Sequence, residues 1–245
     1  MGVGPRSKSR LDDSAVLTHS LVDTHVTWAK SRGYADTMAQ RVLQLMSDYG
    51  VDDCPLWHQR SETEVGLASA EELGLSRELR ADLRDWNDEA TADPLGESEQ
   101  TAWSPERASQ HRMRSFDLAV RVQIELGDDV DIWCGGRESF LEHAGLPGHP
   151  AVLLAGEQAG AAVDRSERGV TESATVAAMG GRPDTARAII AWRQLTQRVG
   201  MPFGDSRTRA RGLRAAGLLQ RELSSCTIVF RAGARRESDY DRDDR

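Results

Sequence analysis

The clearest alternation of apolar and polar positions lies in residues 75–136, where it predicts a helix, a longer helix and a strand. In the first helix, Leu79, Leu83 and Trp86 recur at positions i, i+4 and i+7, which places them on one face. Ser76 stands just before them, where its hydroxyl can cap the helix. We therefore expect a helix with one buried apolar face.

The longer helix has clear signals at both ends. Ser104-Pro105 supplies a capping hydroxyl and then a proline at the first helical position, where its missing N–H costs nothing. Phe116, Val120 and Ile124 continue as an apolar stripe, with Ala119 and Gln123 beside it. A glycine at position 127 is placed to end the helix with a positive φ.

A strand is predicted after this helix. Val130, Ile132 and Cys134 alternate with Asp131 and Trp133, which is typical of a strand with one buried face. Residues 38–49 are ambiguous, because their apolar positions fit either a helix or a strand. We predict an N-terminal extension (1–40), an α/β unit (41–137), a linker (138–150), an Arg-rich second unit (151–236) and an acidic tail (237–245).

The second unit has two interpretations. In the first it is a diverged copy of the α/β unit, with a first strand at residues 151–154 and a tryptophan helix around Trp192. The segments that end the two units then align, with Gln220 against Gln123, Glu222-Leu223 against Glu125-Leu126, and Val229-Phe230 against Ile132-Trp133. The order of these matches is the same in both halves, although the spacing drifts.

In the second interpretation, residues 182–236 form a winged helix-turn-helix that binds DNA. Its recognition helix would end at Gly217 and would present Arg207, Arg209, Arg211 and Arg214 to the nucleic acid. The fold class is therefore predicted as helix-rich α/β (α+β), with two similar strand-helix-helix-strand units or one such unit plus a winged-helix-like domain.

Several short motifs of the first unit resemble those of small uncharacterised actinobacterial α/β proteins. The motifs are DYG, PLW, LGLS, LRADLRDWND and LAVRVQIELGDDVDIWC, and they span about residues 41–136. The resemblance implies a first strand ending in an acidic-aromatic-glycine turn, followed by two helices and a second strand. It favours a strand over residues 42–47 and implies no activity. This chain departs from the pattern by its additional residues on both sides.

Charge is distributed unevenly along the 245 residues. The whole chain carries −8, whereas residues 182–236 contain 12 Arg against 3 acidic residues. This polarity favours a protein partner or self-association, with nucleic acid as an alternative partner for the basic half. No run of apolar residues is long enough for a membrane span, and the early acidic residues argue against a signal peptide. Three widely spaced cysteines fit a reducing cytoplasm.

Candidate chemistry is sparse in this sequence. The common hydrolase, metalloprotease and nucleotide-binding motifs are absent, so no catalytic residue and no cofactor is predicted. The densest reactive cluster lies between Asp48 and His58, where Asp52, Cys54 and His58 are an alternative metal site or thiol centre. We expect a non-enzymatic binding or regulatory protein, with a DNA-binding regulator and a small metal- or thiol-dependent enzyme as alternatives.

Overall fold

A computed structural model describes residues 41–48, 51, 54–59, 66–92, 103–135, 150–156, 158–198 and 205–232. Within these residues one mixed eight-stranded sheet is covered by four helices. The strands are β1 (Arg41–Leu45), β2 (Leu56–His58), β3 (Gly66–Leu67), β4 (Val130–Cys134), β5 (Ala151–Ala155), β6 (Ala162–Glu167), β7 (Val170–Thr175) and β8 (Thr227–Arg231). The helices are α1 (Arg77–Thr91), α2 (Pro105–Leu126), α3 (Pro183–Arg198) and α4 (Ser206–Glu222). The predicted α/β class is confirmed.

The sheet consists of two units that follow the same course. Unit 1 (residues 41–134) runs through three strands, two helices and a strand, and unit 2 (residues 151–231) repeats that order. The strand order is β3-β2-β1-β4-β8-β5-β6-β7, so the two units meet at β4 and β8. These strands pair antiparallel with Cys134 opposite Phe230, whereas β1–β4 and β5–β8 pair parallel. The sheet order is therefore symmetric about the β4–β8 junction.

Equivalent glutamates fix the helix pair of each unit. Glu125, near the end of α2, accepts hydrogen bonds from the backbone N–H and the hydroxyl of Ser76, both at 2.8 Å, at the start of α1. Glu222, at the end of α4, accepts from the Arg182 N–H and the Thr185 hydroxyl, both at 2.8 Å, at the start of α3. A carboxylate at a helix N-terminus satisfies free N–H groups and interacts favourably with the helix dipole. The same polar contact thus joins the first and second helix of both units.

Equivalent glutamines join the second helix of each unit to its last strand. Gln123 donates to the Val130 carbonyl at 2.8 Å and accepts from the Ile132 N–H at 3.1 Å. Gln220 donates to the Cys226 carbonyl at 2.9 Å and accepts from the Ile228 N–H at 3.0 Å. Ile228 is therefore the counterpart of Ile132, so the predicted alignment of Val229-Phe230 against Ile132-Trp133 is wrong by one residue.

The core lies mainly between the helices and the sheet. Leu79, Leu83 and Trp86 are buried there as the sequence pattern predicts, and Trp192 is buried at the matching position of α3. A smaller apolar cluster on the opposite side of the sheet contains Ala151, Leu153, Ala155 and Val229. The sheet thus has buried side chains on both faces.

Three sequence predictions about local structure need correction. Ile124 is 51% exposed, and Gln123 and Ala119 are buried in its place, so the apolar stripe of α2 turns away from Ile124 before the helix ends. All five residues of β4 are buried, including Asp131, so both faces of this strand are covered. The hairpin strands β2, β3, β6 and β7 were not predicted.

The winged-helix prediction is also wrong in its geometry. Helix α4 continues through Gly217 to Glu222, and the following strand β8 lies in the middle of the sheet rather than in a wing. Residues 41–45 form a strand, as the family resemblance favours. The predicted N-terminal extension (1–40) and acidic tail (237–245) lie outside the described residues.

Candidate binding surface

The predicted metal site lies only partly within the described residues. Cys54 is completely buried, and His58 lies partly exposed on β2. Asp48 uses its backbone N–H to bind the Asn87 amide oxygen at 3.0 Å, while Asp52 lies outside the described residues. No group of three or more potential metal ligands occurs among the residues that the structure describes.

The four arginines predicted to bind nucleic acid do not share one face of α4. Arg209 is 1% exposed, and its guanidinium donates to the carbonyls of Gly127 and Asp128 at 3.2 and 2.9 Å. It therefore cannot reach a ligand, and its assignment to an exposed site is wrong. Arg207, Arg211 and Arg214 are exposed.

A fourth exposed arginine, Arg221, extends this row. We call Arg207, Arg211, Arg214 and Arg221 the arginine stripe, because their spacing of four, three and seven residues keeps them on one side of an α-helix. No ion pair within 4.0 Å is formed by any of the four in the described structure. The stripe is thus an exposed row of positive charge.

The corresponding helix pair of unit 1 presents a different surface. Arg121 on α2 binds Asp82 of α1 at 2.5 Å and Glu78 at 3.7 Å. Arg114 lies 3.4 Å from the Glu89 carboxylate, and Arg107 lies 3.9 Å from it. We call these contacts between α1 and α2 the ionic seam, because acidic residues of α1 neutralise these three arginines of α2.

His111 is a buried residue of α2 that lies beside Glu89 of the ionic seam. The sequence does not predict it as part of any site. It stacks on Trp86 with ring centroids 4.7 Å apart, and Trp103 meets it edge-on at 4.8 Å. The Nδ1 atom lies 3.6 Å from the Glu89 carboxylate. Burial lowers the pKa of His111 below its usual range, and the neighbouring Glu89 opposes this effect. A sequence pattern gives no signal for this packing, because His111 contacts a residue on another helix.

Two further features, a surface depression and three cysteines, bear on possible chemistry. A shallow depression on α1 is lined by Arg77, Arg80, Ala81 and Arg84, which supplies positive charge but no nucleophile or acid–base pair. The cysteines Cys54, Cys134 and Cys226 are free and buried, and burial raises the pKa of Cys134 to about 12. None of the helices in the described ranges is sufficiently long and apolar to cross a membrane.

Comparison with known proteins relates unit 1 to a family of immunity proteins. Residues 41–134 match a family model described as Serratia CdiI immunity protein-like. The match begins with the first residue of β1, ends with the last residue of β4 and covers less than half of the chain. No curated protein and no solved structure matches the chain. The similarity supports the expectation that this protein binds a partner.

Proposed function

We propose that this protein binds and inhibits a protein toxin, as an immunity protein. The observation that carries the proposal is the match of unit 1, from β1 through β4, to the immunity protein-like family. The match includes every strand and helix of that unit, so the similarity extends over the whole of unit 1. Binding to a toxin is the function that such a similarity supports best.

The helix layer is suited to such a role because it presents charged side chains on rigid elements. The helices of both units are held at their ends by Glu125 and Glu222, and Gln123 and Gln220 join them to the sheet. A surface held in this way loses little conformational entropy when a partner binds. Specific recognition then depends on the charges that each helix pair exposes.

The thiol-enzyme alternative has less support than partner binding. A nucleophilic cysteine must reach its substrate and must ionise near neutral pH. Cys54 is 0% exposed, and the buried Cys134 has its pKa raised to about 12. Neither thiol meets both requirements.

The proposal is tested with toxins whose own immunity proteins match the same family model. Each toxin is expressed from an inducible promoter, together with this protein, its own immunity protein or an empty vector. We expect growth to be rescued by this protein for at least one toxin, and the purified pair to elute as one complex in size-exclusion chromatography. Absence of both rescue and complex formation across the panel, with the protein folded and expressed, would overturn the proposal.

A further inference from the structure

We propose that the arginine stripe of α4, together with the small and apolar side chains of α3 beside it, docks an acidic surface of the protein partner. This inference rests on the proposed function, because it names the contact surface and the chemistry of the bound protein. The surface combines Arg207, Arg211, Arg214 and Arg221 with Ala188, Ala191, Leu195 and Leu218.

The stripe is long enough to form the centre of a protein contact. Its last member follows its first by fourteen positions, which corresponds to about 21 Å at 1.5 Å per residue. Leu218 lies half-buried within the stripe, between Arg214 and Arg221. Arginine flanking an apolar residue is a composition that protein interfaces favour.

In unit 1, carboxylates of the first helix neutralise arginines of the second helix at the equivalent place in the fold. Helices α1 and α3 can be aligned through Ser76 and Arg182, because the backbone N–H groups of these two residues donate to the equivalent glutamates. By this alignment Asp82 and Glu89 of the ionic seam correspond to Ala188 and Leu195 on α3.

Helix α2 corresponds to α4 in the same way. Through the pairs Gln123–Gln220 and Glu125–Glu222, Arg114 of the ionic seam corresponds to Arg211 of the arginine stripe. Arg114 has the Glu89 carboxylate at 3.4 Å, whereas α3 offers Leu195 at the equivalent position. Unit 2 therefore keeps an arginine whose acidic counterpart is absent from α3.

Like charges at positions i and i+4 destabilise a helix, and arginines bind carboxylates through two parallel hydrogen bonds. The pair Arg207–Arg211 has this spacing, and Arg211–Arg214 has the equivalent spacing of three. Carboxylates from a partner would relieve the repulsion between these arginines. They would neutralise them as the carboxylates of α1 neutralise the arginines of the ionic seam in unit 1. The small side chains of Ala188 and Ala191 leave room for a partner to approach the guanidinium groups.

The geometry favours an acidic protein over nucleic acid. A recognition helix must project far enough to enter the major groove of DNA. Helix α4 instead packs against α2, α3 and the sheet, and its glycines Gly212 and Gly217 closely approach Trp192 and Phe116. Only one side of α4 is exposed, and the chain as a whole carries −8.

The inference is tested with purified full-length protein and a labelled synthetic peptide. The peptide is a helix of about 20 residues with glutamates at spacings of four and three, and a second peptide carries glutamine at those positions. Fluorescence anisotropy is measured at low and at about physiological ionic strength, since screening should weaken contacts between exposed charges. The double variant Arg211→Glu, Arg214→Glu is compared with Arg77→Glu, Arg187→Glu, which changes the net charge equally at other exposed arginines.

We expect the glutamate peptide to bind, and the Arg211→Glu, Arg214→Glu variant to bind it at least tenfold more weakly, with little change in the control variant. Equal losses in both variants would show non-specific charge attraction and would overturn the inference. Failure of the glutamate peptide to bind better than the glutamine peptide would do the same. Tighter binding of a labelled DNA duplex than of the glutamate peptide would also overturn it, in favour of nucleic acid.

The toxin experiment separates this inference from the proposed function. If a toxin is neutralised equally well by the wild type and by the Arg211→Glu, Arg214→Glu variant, the proposed function stands and the arginine stripe is not its docking surface. If the peptide binds at the stripe while no toxin is neutralised, the surface stands and the immunity function falls. Circular dichroism of each variant shows whether a loss of binding reflects unfolding.

Discussion

Arg112 and Arg209 make the same contact in opposite directions between the two units. Arg112 on α2 donates to the Ser224 carbonyl at 2.8 Å, after the end of α4. Arg209 on α4 donates to the Gly127 carbonyl at 3.2 Å, after the end of α2. In each case an arginine of one unit binds a carbonyl at the helix–strand turn of the other. Reciprocal contacts of this kind characterise the interface of a two-fold symmetric dimer, here within one chain.

Gln123 and Gln220, which join helix to strand in the two units, should contribute equally to the stability of the protein. Replacing Gln220 by Ala removes the partners of the Ile228 N–H and the Cys226 carbonyl inside the core. We expect a loss of about 2–4 kcal/mol in the free energy of unfolding, since unsatisfied buried backbone groups are costly. Gln123→Ala should give a loss within about 1 kcal/mol of the same value, because Gln123 makes the equivalent pair of hydrogen bonds to its strand. Urea denaturation followed by circular dichroism measures both, and a loss confined to one variant would contradict the equivalence.

Close packing between α4 and α3 should make Gly212 intolerant of a larger side chain. A Cβ atom at this position would lie 2.4 Å from the Cε2 atom of Trp192, a rigid side chain that is 1% exposed. We expect Gly212→Ala to lower the free energy of unfolding by about 1–3 kcal/mol, because overpacking outweighs the gain in helix propensity.

Gly217 provides a matched control on the same helix. A Cβ atom there would lie 3.3 Å from the Cβ atom of Phe116, so the added methyl group meets much less resistance. Gly217→Ala should be neutral or stabilising by up to about 1 kcal/mol, because alanine is the better helix former. If thermal denaturation showed both variants to be destabilised equally, the difference in packing would be refuted.

The buried His111 should make stability depend on pH near neutrality. Its pKa in the folded protein is lowered mainly by burial, whereas in the unfolded chain it lies near the ordinary value of about 6.5. The unfolded chain therefore binds a proton first as the pH falls. His111 therefore makes its full contribution to the free energy of unfolding above about pH 6.5. This contribution decreases as the pH falls further, until the folded form is also protonated.

The variant His111→Gln tests this pH dependence. Chemical denaturation at a series of pH values between about 5 and 8 should show a flatter stability profile for the variant than for the wild type. The expected sign is a loss of wild-type stability towards acid. Parallel profiles for the two proteins would show that His111 does not titrate differently on folding.

Cys134 should be protected from alkylation in the folded protein. Its thiol is fully buried, and burial raises its pKa to about 12, so the reactive thiolate is scarce at neutral pH. Iodoacetamide at about pH 8 should therefore modify Cys134 only after denaturation, because unfolding returns its pKa to about 8.5. Peptide mass spectrometry of the native and denatured samples locates the label, and rapid native labelling of Cys134 would contradict the observed burial.

Local sequence signals predicted the long elements well. Ser76 caps α1 through its hydroxyl, and Ser104 caps α2 in the same way, because both signals act within one helical turn. The short strands could not be predicted, since β3 has two residues and β2 has three. Such strands are determined by pairing with distant neighbours rather than by their own periodicity.

The candidate surface was only partly predictable. Charge along the sequence points to Arg207, Arg211 and Arg214, but it cannot distinguish them from the buried Arg209. The burial of Arg209 depends on the carbonyls of Gly127 and Asp128, which belong to the other unit. The replacement of the Asp82 and Glu89 carboxylates by Ala188 and Leu195 on α3 likewise becomes visible only when the two helix pairs are compared in space.

The meeting of the two units at Cys134 and Phe230 has a consequence for how the surfaces can change. In a dimer of identical chains, every substitution appears twice, so a mutation that changes a binding surface on one chain also changes the equivalent surface on the other. Here each substitution appears once. One half can keep its arginines neutralised while the other leaves them exposed, and selection can act on each separately. The covalent link thus permits an asymmetry that an assembly of identical chains does not have.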